Sequence, residues 1–240
     1  MTAGSLVSGA YNFRDVGGLP AGSGRTRSGV LYRSGNLARL DDAGVATMRE
    51  LGIRSIVDLR DDDEVANAPS LVDGLAVTTA RVPLVLGSIG SFFERDASLA
   101  DFYRELVDEC SAQVIAVVRG ILVEQPVLVH CTVGKDRTGV TVALALAAAG
   151  VDEESVVADY ARSEALLPPS RNEMVVAKIR ARHPDAVHLE ELATRSPAPV
   201  MRGLLADLTD RYGSPAEYLR AHGLRDEELA ELRRVLIAVD

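Results

Sequence analysis

The stretch that most constrains this chain runs from Pro126 to Val151. Pro126-Val127-Leu128-Val129 is a short, continuous apolar run, and a polar segment, His130 to Gly139, follows it at once. From Val140 to Val151 the chain is apolar again, interrupted only by Thr141 and Gly150. An apolar run without polar alternation suits a strand buried on both faces, as in an open parallel sheet. The second run is far shorter than the ~20 residues of a membrane span and reads as a buried helix. A strand covered on both sides demands helices above and below it. The expected fold is therefore α/β, in three layers, with a small, mostly parallel, twisted sheet flanked by helices. A chain of 240 residues, 47% hydrophobic and 25% charged, can bury such a core.

The flanking pattern agrees. Val30 to Arg33, Ile53 to Leu59 and Ala76 to Val82 read as strands from their β-branched content. Asp41 or Asp42 caps a helix that runs to about Leu51 and stops at Gly52. Asp101 to Glu124 reads as helix in two pieces. From about Asp152 the pattern is mostly helical, with Ser214 to Glu217 at capping-box spacing, and Pro168-Pro169 and Pro197-Ala198-Pro199 predict bends. Residues 1–240 are expected to form a single domain, the helical C-terminal portion packing on the α/β part.

The segment between strand and helix carries the chemistry. It is Cys131, five residues, Arg137, Thr138 and Gly139. Successive backbone N–H groups in a tight loop make a concave nest for an anion, and the helix N-terminus adds more N–H groups and the positive end of its dipole. Thr132, Val133 and Gly134 would supply that nest, and Arg137 can grip two oxygens of a phosphate with its planar fork. The same surroundings favour a thiolate at Cys131, and Thr138 can donate its hydroxyl to the sulfur. A ready nucleophile inside an oxyanion cradle describes phosphoryl transfer through a phosphocysteine intermediate.

His130-Cys131-x5-Arg137-Thr138-Gly139 resembles the signature loop of the tyrosine phosphatase superfamily. With Gly134-Lys135-Asp136 included, the loop looks like that of its atypical bacterial branch. Asn12 to Gly18, Tyr32-Arg33-Ser34, Asp58-Leu59-Arg60 with Glu64, Ala158 to Ser163 and Tyr212 to Leu219 also resemble that branch, so the likeness spans nearly the whole chain. The resemblance implies a cysteine-phosphatase fold and metal-independent, cofactor-free hydrolysis of phosphotyrosine, with phosphoserine, phosphothreonine and phosphoinositides as further substrates. It implies Cys131 as nucleophile, Arg137 as phosphoryl binder and Asp136 as general acid. Asp101 is the second candidate for the acid, Asp96 a third, and Asp58 stands at a strand end that can face the site. Lys135 reads as a rim cation for substrates bearing more than one phosphate, and His130 as a group that bonds backbone and tunes Cys131. Arg60 would brace Glu64. Phe92-Phe93 reads equally as the exposed wedge of a lid or as core anchors, and Leu166 to Pro169 with the next helix as another lid.

Composition sets limits. Twenty-six basic against 35 acidic residues give −9 and argue against a nucleic-acid surface, while leaving a local anion site open. Only Lys135 and Lys178 are lysines. Two cysteines are too few for a disulfide framework, and Met1 to Ala10 lacks the pattern of a secretory signal, so the expected location is the cytoplasm, although the resembling branch includes secreted members. Phosphorylated proteins or phosphoinositides are the expected partners. A rhodanese-like sulfurtransferase and a phosphate-binding pseudophosphatase are the rival readings. Arg137-Thr138-Gly139 and Asn12 to Gly18 disfavour the first, and the intact Cys131, Asp136 and Arg137 disfavour the second.

Overall fold

The structure, a computed structural model, describes residues 5–85 and 89–238. The first half of the chain forms β1 (Arg14–Asp15), β2 (Pro20–Ala21), β3 (Gly24–Thr26), β4 (Leu31–Ser34), α1 (Asp42–Glu50), β5 (Ser55–Asp58), α2 (Asp62–Asn67), β6 (Thr78–Arg81) and α3 (Ile89–Glu94). There follow α4 (Leu99–Glu109), α5 (Ser111–Val123), β7 (Val127–His130) and α6 (Arg137–Ala149). The remainder is α7 (Glu153–Ala165), α8 (Pro169–Arg180), α9 (Leu189–Thr194), α10 (Ala198–Tyr212), α11 (Pro215–Ala221), α12 (Asp226–Leu236) and β8 (Ile237–Ala238).

Five strands form the main sheet in the order β1-β4-β7-β5-β6. β4, β7, β5 and β6 are parallel, and β1 is the antiparallel edge. The pleat sends alternate side chains to opposite faces. Tyr32, Ile56 and Leu128 meet Phe13 and Met48 on one side. Leu31, Val57, Val127 and Val129 face the larger core built with α4 to α7 and α10 to α12 on the other. Both faces are covered, which is why the central strand reads as an unbroken apolar run. The expected three-layer α/β arrangement is the one observed. A second sheet, β2-β3-β8, ties the N-terminal hairpin to the end of the chain.

The register positions the site. Ser34, Asp58 and His130 lie level at the C-terminal ends of β4, β5 and β7. The loops that leave these strands therefore converge at one sheet edge, where ligands bind in open α/β sheets.

Local signals acted mostly as read. Asp41 caps α1 by accepting from the Gly44 N–H at 2.8 Å, and Gly52 follows the helix with φ +65°. The prolines differ from expectation. Pro169 opens α8 and Pro199 sits in the first turn of α10, where a missing N–H costs nothing, so these residues start helices. Cys110 is buried at the end of α4, and burial pushes its thiol pKa up. Among the described residues no helix is long and apolar enough to cross a membrane.

α8 contrasts with the rest: none of its residues is buried. Its partly buried Val176 and Ile179 join a small cluster with Phe93, Ala186 and Leu189, separate from the main core. Elements with few buried apolar contacts open first. Amide hydrogen exchange should accordingly be faster across Pro169–Arg180 than across α6, whose side chains are nearly all buried.

Candidate active site

The loop between β7 and α6 is shaped from behind. Asn36 donates its backbone N–H (3.1 Å) and its side-chain amide (3.2 Å) to the Thr132 carbonyl. Asn12 Nδ2 donates to the Val133 and Gly134 carbonyls at 3.4 and 2.8 Å, and Arg33 Nη2 reaches the Gly134 carbonyl at 3.1 Å. With these carbonyls drawn back, their peptide partners turn N–H groups forward. The Gly134 N–H points to Cys131 Sγ at 3.3 Å. Gly134 has φ +74°, and a Cβ there would stand 2.3 Å from the Ser34 carbonyl carbon, so only glycine fits.

Beneath the loop lies a buried charge cluster. Arg14 Nε and Arg33 Nη1 each pair with Asp159 at 2.7 Å, and all three side chains are almost fully buried. Two guanidiniums share one carboxylate, leaving an excess positive charge under the nest. Burial, and then Arg33, bring the Arg14 pKa down to about 10. Burial works against ionising Asp159, but Arg33 and Arg14 more than offset it and hold its pKa below the usual carboxylate range. The N-terminal motif thus pins its segment to the loop between β7 and α6 as well as to the sheet.

Arg137, the first residue of α6, offers its fork to Glu64 in α2: Nη1–Oε2 is 2.7 Å and Nη2–Oε1 is 2.6 Å. Burial would raise the Glu64 pKa, but the Arg137 hydrogen bonds prevail and bring it down to about 2. Burial likewise opposes the charge on Arg137, and the Glu64 bonds more than offset this, raising its pKa. Glu64 also accepts from the Thr132 hydroxyl. The partner expected for Glu64 was Arg60. Arg60 instead grips Asp58, with Nε–Oδ1 at 2.9 Å and Nη2–Oδ2 at 2.7 Å. Asp58 is therefore committed to a buried brace and does not line the cavity. His130 is fully buried beside it, with Nδ1 3.2 Å from the Cys131 carbonyl and Nε2 3.7 Å from Asp58. Burial brings the His130 pKa down to about 4, and the ring is neutral at pH 7.

Cys131, Thr132, Val133, Asp136, Arg137 and Glu64 line one cavity of about 120 Å³. Phe92, Phe93, Phe102 and Leu192 form its apolar wall. Sites that take whole small molecules span ~300–1,000 Å³, so this cavity holds a phosphoryl-sized group and leaves the remainder of a substrate outside it. Phe92 and Phe93 are both buried, so they are core anchors that also line the cavity and not an exposed wedge. The Gly/Ser-rich stretch before them lies partly outside the described residues. A larger groove of about 760 Å³ lies between α7, α8 and α9, but no cysteine lines it, and its Arg195 is paired with Glu164 and Glu190.

Asp136 stands at the cavity wall. Its Oδ1 accepts from Lys135 Nζ at 2.5 Å and from the Tyr103 hydroxyl at 2.9 Å. Lys135 differs from its reading as a rim cation. Its side chain is 1% exposed, and Nζ donates to Asp136 and to the Arg195 carbonyl at 2.8 Å. A carboxylate and a carbonyl offset the cost of taking that ammonium out of water. Thr138 Oγ1 is buried and has no hydrogen-bond partner among the described residues, so the expected bond to Cys131 is not made. Asp101 lies in the first turn of α4, where it closes a capping box with Ser98, and Asp96 accepts from the His188 N–H. Both carboxylates serve local structure, and neither lines the cavity. Sequence reading missed Asn36, Tyr103 and the Glu64–Arg137 pair. Asn36 and Tyr103 carry no local signal, because only the folded chain brings them to the loop.

A family model described as "Tyrosine phosphatase family" matches residues 6–238. The "Triple specificity protein phosphatase PtpB" of Mycobacterium tuberculosis is 34% identical over 278 aligned residues, covering 96% of this chain and 98% of that protein. A "Tyrosine-protein phosphatase" of Nostoc commune is 28% identical, covering 85% of this chain and 73% of its own length. Among solved structures, TpbA of P. aeruginosa matches with TM-score 0.38 and 21% identity, covering 71% of this chain and 90% of that one. The core catalytic domain of the PP-IP phosphatase SIW14 from S. cerevisiae matches with TM-score 0.39 and 15% identity, covering 84% and 94%.

Two outcomes follow from the buried charges. Asp159→Asn leaves Arg14 and Arg33 without their carboxylate and should cost about 3–5 kcal/mol in urea unfolding. His130 has a folded pKa near 4 against ~6.5 unfolded, so between those values the unfolded chain binds a proton that the folded chain refuses. Glu64, held near 2, extends the loss to lower pH as its carboxylate protonates. Unfolding free energy should therefore fall steadily as pH drops from 6.5 towards 2, and His130→Asn should flatten the part between 6.5 and 4.

Proposed function

The chain belongs to the tyrosine phosphatase family, and on that premise we propose that it is a cysteine-dependent phosphomonoester hydrolase working through a phosphocysteine. The observation that carries this reading is one cavity lined by Cys131, Arg137 and Asp136, above a nest whose Gly134 N–H already faces the sulfur. The phosphoryl group seats on the N–H groups of Val133 to Lys135, the peptide partners of the carbonyls held from behind. Glu64 takes one N–H from each terminal nitrogen of Arg137 and the Leu59 carbonyl takes a second from Nη1, so Nε–H and the outer N–H of Nη2, 3.5 Å from the Thr132 hydroxyl, are the donors for phosphoryl oxygens. Cys131 Sγ attacks phosphorus in line as the ester P–O bond breaks. Asp136 gives its proton to the leaving oxygen. Water then attacks phosphorus, Asp136 takes up the water's proton, and the sulfur leaves as a thiolate towards which the Gly134 N–H is directed. The acidic chain is no obstacle to this, because the excess charge of Arg14 and Arg33 acts at short range under the loop.

Phosphotyrosine in proteins is the first substrate class on this reading, followed by phosphoserine and phosphothreonine; the M. tuberculosis relative carries the name of a triple specificity protein phosphatase. Phosphoinositides are the alternative, but they lose the support drawn from Lys135, whose ammonium is spoken for by Asp136 and Arg195. Residues 1–240 work as one domain, since α9 supplies both Leu192 to the cavity and a carbonyl to Lys135. The two free cysteines fit a reducing cytoplasm.

Cys131→Ser should lower turnover of phosphotyrosine peptides by roughly 10⁴-fold or more while phosphate binding and fold persist. A normal rate in this variant would sink the mechanism. Lys135→Ala should slow phosphopeptide and phosphoinositide hydrolysis alike, since the ammonium acts on Asp136. A loss confined to phosphoinositides in a side-by-side panel would restore the head-group role.

A further inference from the structure

Asp136 is the residue that immediately precedes α6, where an aspartate ordinarily turns back to accept an N–H of the first turn. Here it makes no such bond. Nothing in its own helix holds the carboxyl, and its direction is set from elsewhere. Lys135 supplies charge to Oδ1. The second donor is the hydroxyl of Tyr103 in α4, at 2.9 Å, and that hydroxyl lies 2.8 Å from the hydroxyl of Tyr160 in α7. Both tyrosines are 0% exposed, and their rings meet edge to face at 5.9 Å.

The direction of this chain is fixed by counting protons. An ionised carboxylate only accepts, so the Tyr103 proton goes to Asp136. The Tyr103 oxygen then accepts from Tyr160. Burial, and then the charge of Asp136, raise the pKa of both phenols, so they stay protonated and cannot act as proton carriers. Their contribution is geometric. Two donors on Oδ1 leave Oδ2 as the oxygen that takes the proton.

We propose that Tyr103, backed by Tyr160, is the positioning residue that aims Asp136 at the leaving oxygen and fixes which carboxyl oxygen delivers the proton. The inference rests on the reading of Asp136 as general acid. α4 and α7 are thereby part of the proton-delivery apparatus, although neither contributes a group that touches the phosphoryl oxygens.

The test compares the full chain with Tyr103→Phe, Tyr160→Phe and Asp136→Asn on two esters, p-nitrophenyl phosphate and phenyl phosphate. Their leaving groups differ in how much they need a proton. Tyr103→Phe should lower kcat on phenyl phosphate roughly tenfold, a part of the 10²–10⁴ that a general acid supplies. It should change p-nitrophenyl phosphate turnover little and leave KM alone. Loss of a donor to the carboxylate should also move the alkaline limb of the kcat profile to higher pH. Tyr160→Phe should give the same pattern, weaker, and it carries the test if Tyr103→Phe does not fold. Equal losses on both esters, or an unmoved alkaline limb, alongside a steep leaving-group response in Asp136→Asn would overturn the role of the tyrosines alone. A flat response in Asp136→Asn would remove the general acid and the tyrosine role together.

Discussion

The site depends on where three backbone carbonyls point. A peptide group carries its N–H and its C=O on opposite sides, so a loop that presents N–H groups to an anion must bury its carbonyls behind. Left without donors, those carbonyls would each carry a desolvation penalty of about 1–3 kcal/mol. Asn12, from the segment before β1, and Arg33 and Asn36, from β4 and the turn that follows it, take on that task. Arg33 is in turn held by Asp159, and Asp159 by Arg14. The anion cradle is thus the front of a hydrogen-bonded stack that reaches from the N-terminal segment to α7.

Much of this was legible in the sequence because it is local. The strand, the loop and α6 are contiguous, so Cys131, Asp136 and Arg137 could be named from spacing and resemblance. The flanking turns gave the sheet its length and its helices. What stayed hidden is long-range pairing. Glu64 stands 73 positions from Arg137 and Tyr103 stands 33 from Asp136. No periodicity or cap connects such pairs; only the sheet order does, by setting β5 and β7 side by side.

Lys135 shows the opposite error. Its position next to Asp136 in a loop of cations suggested a charge offered to substrate. The physics of burial decides otherwise: a lysine 1% exposed must find acceptors, and the nearest are a carboxylate and the end of α9. Arg60 and Glu64 erred in the same way, since sequence proximity placed them together and geometry gave each a different partner. Charged residues near a site read as functional from sequence, and burial separates those that support from those that touch.

α7 holds two adjacent residues with different duties: Asp159 anchors the arginines behind the loop, and Tyr160 holds the tyrosine that bonds Asp136. Neighbouring helical positions point about 100° apart, so both contacts depend on one rotational setting of the helix. A single-residue insertion or deletion within α7 ahead of Asp159 would turn both away at once. The segments on either side, by contrast, can change length while these two side chains keep their places. Length variation among relatives should therefore collect around α7 and leave its own register fixed.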